Sequence, residues 1–224
     1  EVCSHEYYST YTSSTPYGQF ARMVVNNGIS SKKYVNYSSI TRCLYQKSNS
    51  HGSLSLTNGK ILCPSVNLSM NTCNYGSAIY HFPCCDSNSV TCSLTYSTFA
   101  DNAANSAICI YIRTSGANSE LKYCNIIRNT QNSLNELGTF YSNGNIVIED
   151  SCILENNANT MFYQRYSYTF TISDCTIDST TNNEYLKIRN TVTKSFIFAL
   201  NHMSTQNCHS GYDAIGYITP ITTH

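Results

Sequence analysis

The chain has few charged residues. Thirteen basic and thirteen acidic side chains are spread over 224 residues, and they give no net charge. Charged residues form 12% of the sequence, which is about half the share found in an average globular domain. Nucleic acids and anionic membranes attract proteins that carry a basic field. The composition therefore predicts no nucleic-acid partner, and solubility must come from Ser, Thr, Asn and the 19 Tyr.

Long apolar runs and helix-forming residues are also scarce. The longest apolar stretches, such as residues 196–200, are far shorter than the roughly 20 residues that a membrane span needs. Any membrane anchor is therefore expected outside this chain, which begins at Glu1 without an initiating Met, as a mature protein or a fragment would. Residues that suit sheets and turns dominate over those that fill surface helices, so the composition predicts an all-β fold.

Cysteine is abundant, but zinc-binding spacing is missing. The chain has 12 Cys, none in a CxxC pair, and its six His do not pair with Cys at zinc-finger intervals. We therefore expect no metal and no other cofactor. Because the cytosol keeps thiols reduced, the cysteine count favours an extracellular or cell-surface location.

A short motif recurs along most of the chain, with a period of about 23–30 residues. It consists of a small residue or Cys, an apolar residue two positions later, and Asn, Cys or a similar residue three positions after that. Its copies are Ser38-x-Ile40-x-x-Cys43, Leu68-x-Met70-x-x-Cys73, Ser97-x-Phe99-x-x-Asn102, Cys124-x-Ile126-x-x-Asn129, Cys152-x-Leu154-x-x-Asn157, Cys175-x-Ile177-x-x-Thr180 and Asn201-x-Met203-x-x-Gln206. A fixed period of this length indicates a solenoid.

Each unit also holds a small residue followed by an apolar strand, and an alternating run such as residues 145–149. Three short strands and three turns per unit predict a right-handed parallel β-helix of about seven to eight turns. We assign residues 1–17 to an N-terminal cap or incomplete turn, 18–210 to the repeats, and 211–224 to a further repeat or a C-terminal cap. A leucine-rich repeat is the alternative fold at this repeat length, but it would need regularly spaced leucines and a helical half in each repeat, which this sequence lacks.

Stacked turns place equivalent residues in columns. The motif predicts one buried apolar column, comprising Ile40, Met70, Phe99, Ile126, Leu154, Ile177 and Met203. Asn102, Asn129 and Asn157 are expected at a turn, where each amide can bond the backbone of the next turn. Cys124, Cys152 and Cys175 are expected to share a column, either as buried thiols or as bridged pairs. Loop-closing disulfides are expected among the cysteines of the first half, without assigned pairs.

These motifs resemble known surface proteins. Phe99 to Asn102 matches the FxxN motif and Gly76 to Ile79 approximates the GGAI motif of the chlamydial polymorphic membrane protein repeats. Ile126 to Asn129 and Leu154 to Asn157 are relaxed FxxN forms. The composition, which is rich in Asn, Ser and Tyr, more closely resembles that of the right-handed β-helix surface proteins of trichomonad parasites. The resemblance covers about residues 18–215, and it implies surface display, adhesion to host cells and antigenic variation.

Function is expected to be binding rather than catalysis. The leading hypothesis is a non-enzymatic adhesin ectodomain whose partner is a host cell-surface protein or glycan. The alternative is a carbohydrate-active β-helix, in which Glu155 and Asp178 share a column with Asp150 nearby, as paired carboxylates for glycoside cleavage require. The signatures of pectin-degrading β-helices are missing, however. A structural stalk module is a third possibility.

Other residues carry weaker signals. Tyr163, Tyr166 and Tyr168 mark one turn, and rigid amphipathic Tyr is typical both of binding surfaces and of ordinary strands. Two N-glycosylation sequons begin at Asn36 and Asn67, although burial in the repeat column would block them. Three histidines lie near cysteines, for which a structural role is favoured over catalysis or metal binding: His81, His202 and His209.

Overall fold

In a computed structural model, the chain forms a parallel β-helix of about five turns. The structure describes residues 2–4, 20–26, 28–43, 52–75, 78–86, 88–106, 109–132, 137–182 and 185–193. Equivalent strands of successive turns pair in parallel and form four sheets, which we label A to D. Among the described residues, three turns contribute a strand to sheet B, and these turns visit the sheets in the order D, A, B, C. The expected seven to eight turns are too many for these residues, because the motif copy at 201–206 and the unit from Gly211 lie outside them. In the part of the chain described, no helix is long and apolar enough to span a membrane.

Twenty-four short strands build the four sheets. Sheet A contains β1 (Val2–Ser4), β4 (Ser38–Thr41), β7 (Val66–Ser69), β11 (Thr98–Ala100), β15 (Asn125–Ile127), β19 (Cys152–Leu154), β22 (Thr176–Ile177) and β24 (Val192–Thr193). Sheet B contains β8 (Thr72–Tyr75), β12 (Ala103–Ser106) and β16 (Thr130–Gln131). Sheet C contains β2 (Ala21–Val24), β5 (Leu54–Thr57), β9 (Ile79–Phe82), β13 (Ile110–Ile112), β17 (Phe140–Ser142) and β20 (Phe162–Gln164). Sheet D contains β3 (Lys32–Tyr34), β6 (Lys60–Pro64), β10 (Cys92–Thr95), β14 (Asn118–Lys122), β18 (Asn145–Glu149), β21 (Phe170–Ser173) and β23 (Leu186–Arg189).

A buried apolar column runs along the inside of sheet A. Its members, each at most 1% exposed, are Ile40, Leu68, Phe99, Ile126, Ile153 and Ile177. The predicted column was wrong at two positions. Met70 occupies a left-handed turn with φ 55°, and Leu154 follows Ile153 and so points to the opposite face of the strand. Met203 lies outside the described residues.

A second column consists of four asparagines at the turn after sheet A. Asn71, Asn102, Asn129 and Asn156 each accept, through the side-chain oxygen, a hydrogen bond from the backbone N–H of the preceding turn, at 3.0–3.1 Å. Their amide groups donate in return to backbone carbonyls of that turn, including those of Ile40 and Leu68. The predicted structural role is confirmed for Asn102 and Asn129. Asn156 takes the place predicted for Asn157, because the strand before it is shifted by one residue.

The cysteines whose side chains are described form no disulfides. Cys124 and Cys175 occupy one column with Ser151 between them, and the backbone N–H of Cys124 donates to Ser151 Oγ at 3.0 Å. Cys152 lies one residue further on, so the expected column of three was wrong. Two turns separate Cys124 from Cys175 by about 9.6 Å, which is beyond disulfide reach. None of these ten cysteines is in a disulfide, so the loop-closing disulfides expected in the first half are not formed among them.

The outer faces of the sheets differ in exposure. On sheet A, the outward residues Ala100, Ile127 and Leu154 form a small buried cluster. On sheet C, outward tyrosines stack in a ladder with ring centroids 4.4–5.7 Å apart, formed by Tyr80, Tyr111, Tyr141 and Tyr163. The outward residues of strands β14 and β18 in sheet D are half-buried or exposed. Sheet D is therefore the most accessible of these three faces.

Candidate functional site

The outer face of sheet D is built by the alternation of inward and outward residues. In strand β14, Ser119 and Leu121 point into the core, while Asn118, Glu120 and Lys122 point outward. Strand β18 repeats this arrangement one turn later, where it places Asn145, Val147 and Glu149 on the outside. Because paired strands lie about 4.8 Å apart, these outward residues form rows of closely spaced polar side chains.

A groove of about 360 Å³ lies on this face. Its lining includes Asn118, Glu120, Lys122, Asn145 and Val147 from the sheet, and residues 88–90 from the connection between β9 and β10. Residues 88–90 lie just before the start of strand β10 and form one wall of the groove. Small-molecule sites are commonly concave and have volumes of about 300–1,000 Å³. The groove is therefore large enough for a small ligand or for part of a larger one.

The wall of the groove is held in place by hydrogen bonds around Asp86. The Asp86 carboxylate accepts from the backbone N–H of Asn88 at 2.9 Å and from the Ser89 hydroxyl. These bonds, led by the one from Ser89, lower the pKa of Asp86. Lys60 Nζ donates to Ser89 Oγ at 3.0 Å, and Asn118 Nδ2 donates to the Asp86 carbonyl at 3.0 Å. The wall is thus tied to both neighbouring turns of the sheet, so little ordering is needed when a ligand binds.

One lysine pairs with two carboxylates beside the groove. Lys122 Nζ lies 3.4 Å from Glu120 Oε2 and 3.1 Å from Glu149 Oε2. The hydrogen bond to Glu149 and the charge of Glu120 raise the pKa of Lys122. Ser93 Oγ donates to the other oxygen of Glu120 at 2.8 Å. Glycoside cleavage uses two carboxyl groups that face each other across the scissile bond, whereas an ammonium group stands between these two carboxylates. This arrangement of Lys122 with Glu120 and Glu149 is suited to hydrogen bonding with a ligand.

The carboxylates predicted as a catalytic alternative are only partly brought together. The Asp178 carboxylate accepts a hydrogen bond from the backbone N–H of Glu155. The two residues do not share a column, however, because Ile153 pairs with Ile177 and this register places Asp178 beside Leu154. Asp150 lies at the opposite end of strand β19, roughly 15 Å from Glu155 along the strand. The structure therefore gives Asp178 a turn-stabilising contact and leaves Asp150 apart.

The three tyrosines predicted as binding residues lie in different environments. Tyr163 stacks on Tyr141 in the ladder of sheet C, with 5.7 Å between ring centroids. Tyr166 is 61% exposed and lies under the Arg165 guanidinium, 5.2 Å from ring centroid to Cζ. Tyr168 Oη lies 3.0 Å from the hydroxyl of Ser115. Tyr166 is the most accessible of the three, and a binding role for any of them stays a prediction.

The two sequons differ sharply in accessibility. Asn36 is exposed, whereas Asn67 is 3% exposed and its Nδ2 lies 3.4 Å from Ser39 Oγ within sheet A. Burial is therefore expected to block glycosylation at Asn67 but not at Asn36. His81 is fully buried, and its desolvation lowers its pKa to about 3. Among the described residues, no group of three or more His, Cys, Asp or Glu side chains is placed to hold a metal ion. His202 and His209 lie outside those residues.

The residues of the groove were missed by the sequence analysis. The alternating run at 145–149 was recognised as a strand, and its polar positions were a usable signal for an outward face. Their neighbours Asn118 and Glu120 lie 27 residues earlier in the chain, so only the pairing of the turns brings them together. Comparisons with protein-family models, with curated proteins and with solved structures find no match for this chain.

Proposed function

We propose that this protein is a non-enzymatic β-helix, secreted or displayed at a cell surface, which acts as an adhesin. It binds a host cell-surface partner through the outer face of sheet D. The observation that carries this proposal is the groove on that face, with its fixed wall and its rows of polar side chains from adjacent turns. A stacked solenoid offers an extended lateral surface of this kind for binding.

Two further observations support binding over catalysis. Lys122 stands between the carboxylates of Glu120 and Glu149, and Asp178 uses a carboxylate oxygen on the backbone of the neighbouring turn. The carboxylates of Glu120, Glu149 and Asp178 thus each have a partner that a structural or binding role explains. The extracellular location and the adhesive role both rest on the resemblance to β-helix surface proteins, because cysteines that form no disulfides do not favour an oxidising compartment.

The proposal is tested by cell binding. The full chain is displayed on beads and presented to host epithelial cells, together with the variants Val147→Lys and Tyr166→Ala. Val147→Lys places a new ammonium group in the groove, so we expect it to reduce bead binding at least tenfold. Tyr166→Ala removes an exposed ring from another region and is expected to leave binding within twofold of the unchanged protein.

Three outcomes would overturn the proposal. Binding of the unchanged protein no stronger than that of bare beads would favour a structural stalk. If Val147→Lys still binds cells as strongly as the unchanged protein, the groove is not part of the adhesive surface. Loss of binding with Tyr166→Ala alone would move the site to the turn that carries Tyr163 and Tyr168. Circular dichroism of each variant confirms that the β-helix is retained.

A further inference from the structure

The groove on sheet D has more hydrogen-bonding groups than the described residues use. Asn118 donates one amide hydrogen to the Asp86 carbonyl, and its oxygen accepts one bond from Asn145 at 3.3 Å. Asn145 accepts from the backbone of Thr169 at 3.0 Å. A carboxamide can donate two hydrogens and accept two bonds. Each of these amides therefore keeps one donor and one acceptor for a ligand, and the two are one turn apart, about 4.8 Å.

Charge determines which polar ligand fits. The groove and its wall contain the carboxylates of Asp86 and Glu120 and the ammonium groups of Lys60 and Lys122, while Glu149 adjoins them. Lys122 is shared by two carboxylates, and Lys60 donates to Ser89. The groove and its wall therefore carry no net charge, and both of their ammonium groups already have partners. They offer a sulfated or sialylated ligand no net attraction, and an uncharged ligand needs none.

Apolar groups complete the lining. Val147 lies in the groove, and Val90 is 38% exposed on the wall. Both present C–H surface between polar side chains. An uncharged ligand that carries many hydroxyl groups as well as an apolar C–H face matches this combination. A pyranose ring has both features.

We propose that the groove binds a neutral oligosaccharide, with the Asn118 and Asn145 amides and the Glu120 carboxylate bonding hydroxyl groups and the two valines contacting a sugar ring. This proposal rests on the proposed binding function and names its ligand class. A peptide added as an extra strand is not an alternative at this place, because strand β14 is already paired with β10 on one side and β18 on the other.

The experiment uses an array of neutral, sialylated and sulfated glycans probed with the full chain. We expect binding to neutral glycans and none above background to sulfated or sialylated ones. Glu120→Lys replaces a hydrogen-bonding carboxylate of the groove with an ammonium group, so it should weaken neutral-glycan binding at least tenfold. Asp174→Lys makes the same charge change on the exposed turn after strand β21, outside the groove, and is the matched control, expected to stay within twofold. Should Glu120→Lys fail to fold, Glu120→Gln keeps the side-chain size and should still weaken binding severalfold.

The outcomes separate this inference from the proposed function. Preference for sulfated or sialylated glycans, or equal effects of Glu120→Lys and Asp174→Lys, would overturn the neutral-glycan inference. If cell binding depends on Val147 but survives enzymatic removal of cell-surface glycans, the adhesive face stands and its partner is a protein. If the unchanged protein binds neutral glycans through Glu120 but does not bind cells, the glycan inference stands and the adhesin proposal fails.

Discussion

Removing one amide from the asparagine column should destabilise the β-helix strongly. Asn102 is fully buried, and its side-chain oxygen accepts from both the backbone N–H and the amide of Asn71, at 3.1 and 3.0 Å. Asn102→Ala leaves the backbone N–H of Asn71 and one of its two amide hydrogens without an acceptor, while the other amide hydrogen keeps its bond to the Ile40 carbonyl. The side-chain oxygen of Asn129 still accepts the hydrogen bond from the backbone N–H of residue 102 at 3.0 Å, so it keeps a hydrogen-bond partner. Each stranded buried donor costs about 1–3 kcal/mol, and the lost volume adds to this.

We therefore expect Asn102→Ala to lower the free energy of unfolding by about 3–5 kcal/mol. In a chain of this size this corresponds to a fall in Tm of roughly 10 °C or more. Urea unfolding followed by circular dichroism measures the change, with the m-value checked for constancy.

The matched control for this measurement lies three residues further on. Asn105→Ala removes an exposed side chain that bonds Asn74 Oδ1 at 2.8 Å, and exposed changes usually stay within about 0.5 kcal/mol. If Asn102→Ala lost less than about 1 kcal/mol, or no more than Asn105→Ala, the asparagine column would not be a source of stability and the reasoning would be refuted.

Three further predictions follow from burial and backbone geometry. His81→Leu should raise the free energy of unfolding by about 1–3 kcal/mol, because neither imidazole nitrogen makes a hydrogen bond of good geometry to a described group. The folded pKa of His81, about 3, lies below the ordinary value of 6.5. The stability that depends on neutral His81 is therefore present above pH 6.5 and is lost as the pH falls toward 3, by roughly 1.4 kcal/mol per pH unit. Urea midpoints at pH 7 and pH 4 should show this loss in the unchanged protein and not in His81→Leu. Gly138→Ala should prevent folding or destabilise the protein by more than about 3 kcal/mol, because φ is +58° and a Cβ would lie 2.0 Å from a backbone oxygen. Gly28→Ala is the control: its Cβ would have no neighbour closer than 3.9 Å, so it should be nearly neutral in thermal unfolding. Secretion from glycosylating cells should add one glycan, at Asn36 and not at the buried Asn67; a mass shift that survives Asn36→Gln would contradict this.

The sequence predicted the architecture well and the register less well. The recurring motif located Ile40, Phe99, Ile126 and Ile177 correctly in the core column. It misplaced the second copy by two residues. In that turn, Leu68 and Met70 are both apolar and two positions apart, so a pattern of alternating apolar residues fits either of them.

The fifth copy was misplaced by a single residue. Ile153 and Leu154 are adjacent and both buried, one inside sheet A and the other on its covered outer face. A sequence cannot show that the outer face of a strand is also covered. Because that error moved Asn157 into the place of Asn156 and Asp178 into line with Glu155, it also created the apparent pair of catalytic carboxylates.

The sequence by itself determined that this chain is an all-β parallel solenoid with an asparagine turn. A near-constant period of apolar, turn and amide residues can bury its apolar face only by stacking one turn on the next. The tertiary structure alone decided which face stays open, which thiols and amides become neighbours, and where Glu120, Lys122 and Glu149 meet. Neighbours in a column are 27–31 residues apart in the chain through most of the helix. Their contacts therefore depend on turn lengths and packing, which local sequence patterns do not encode.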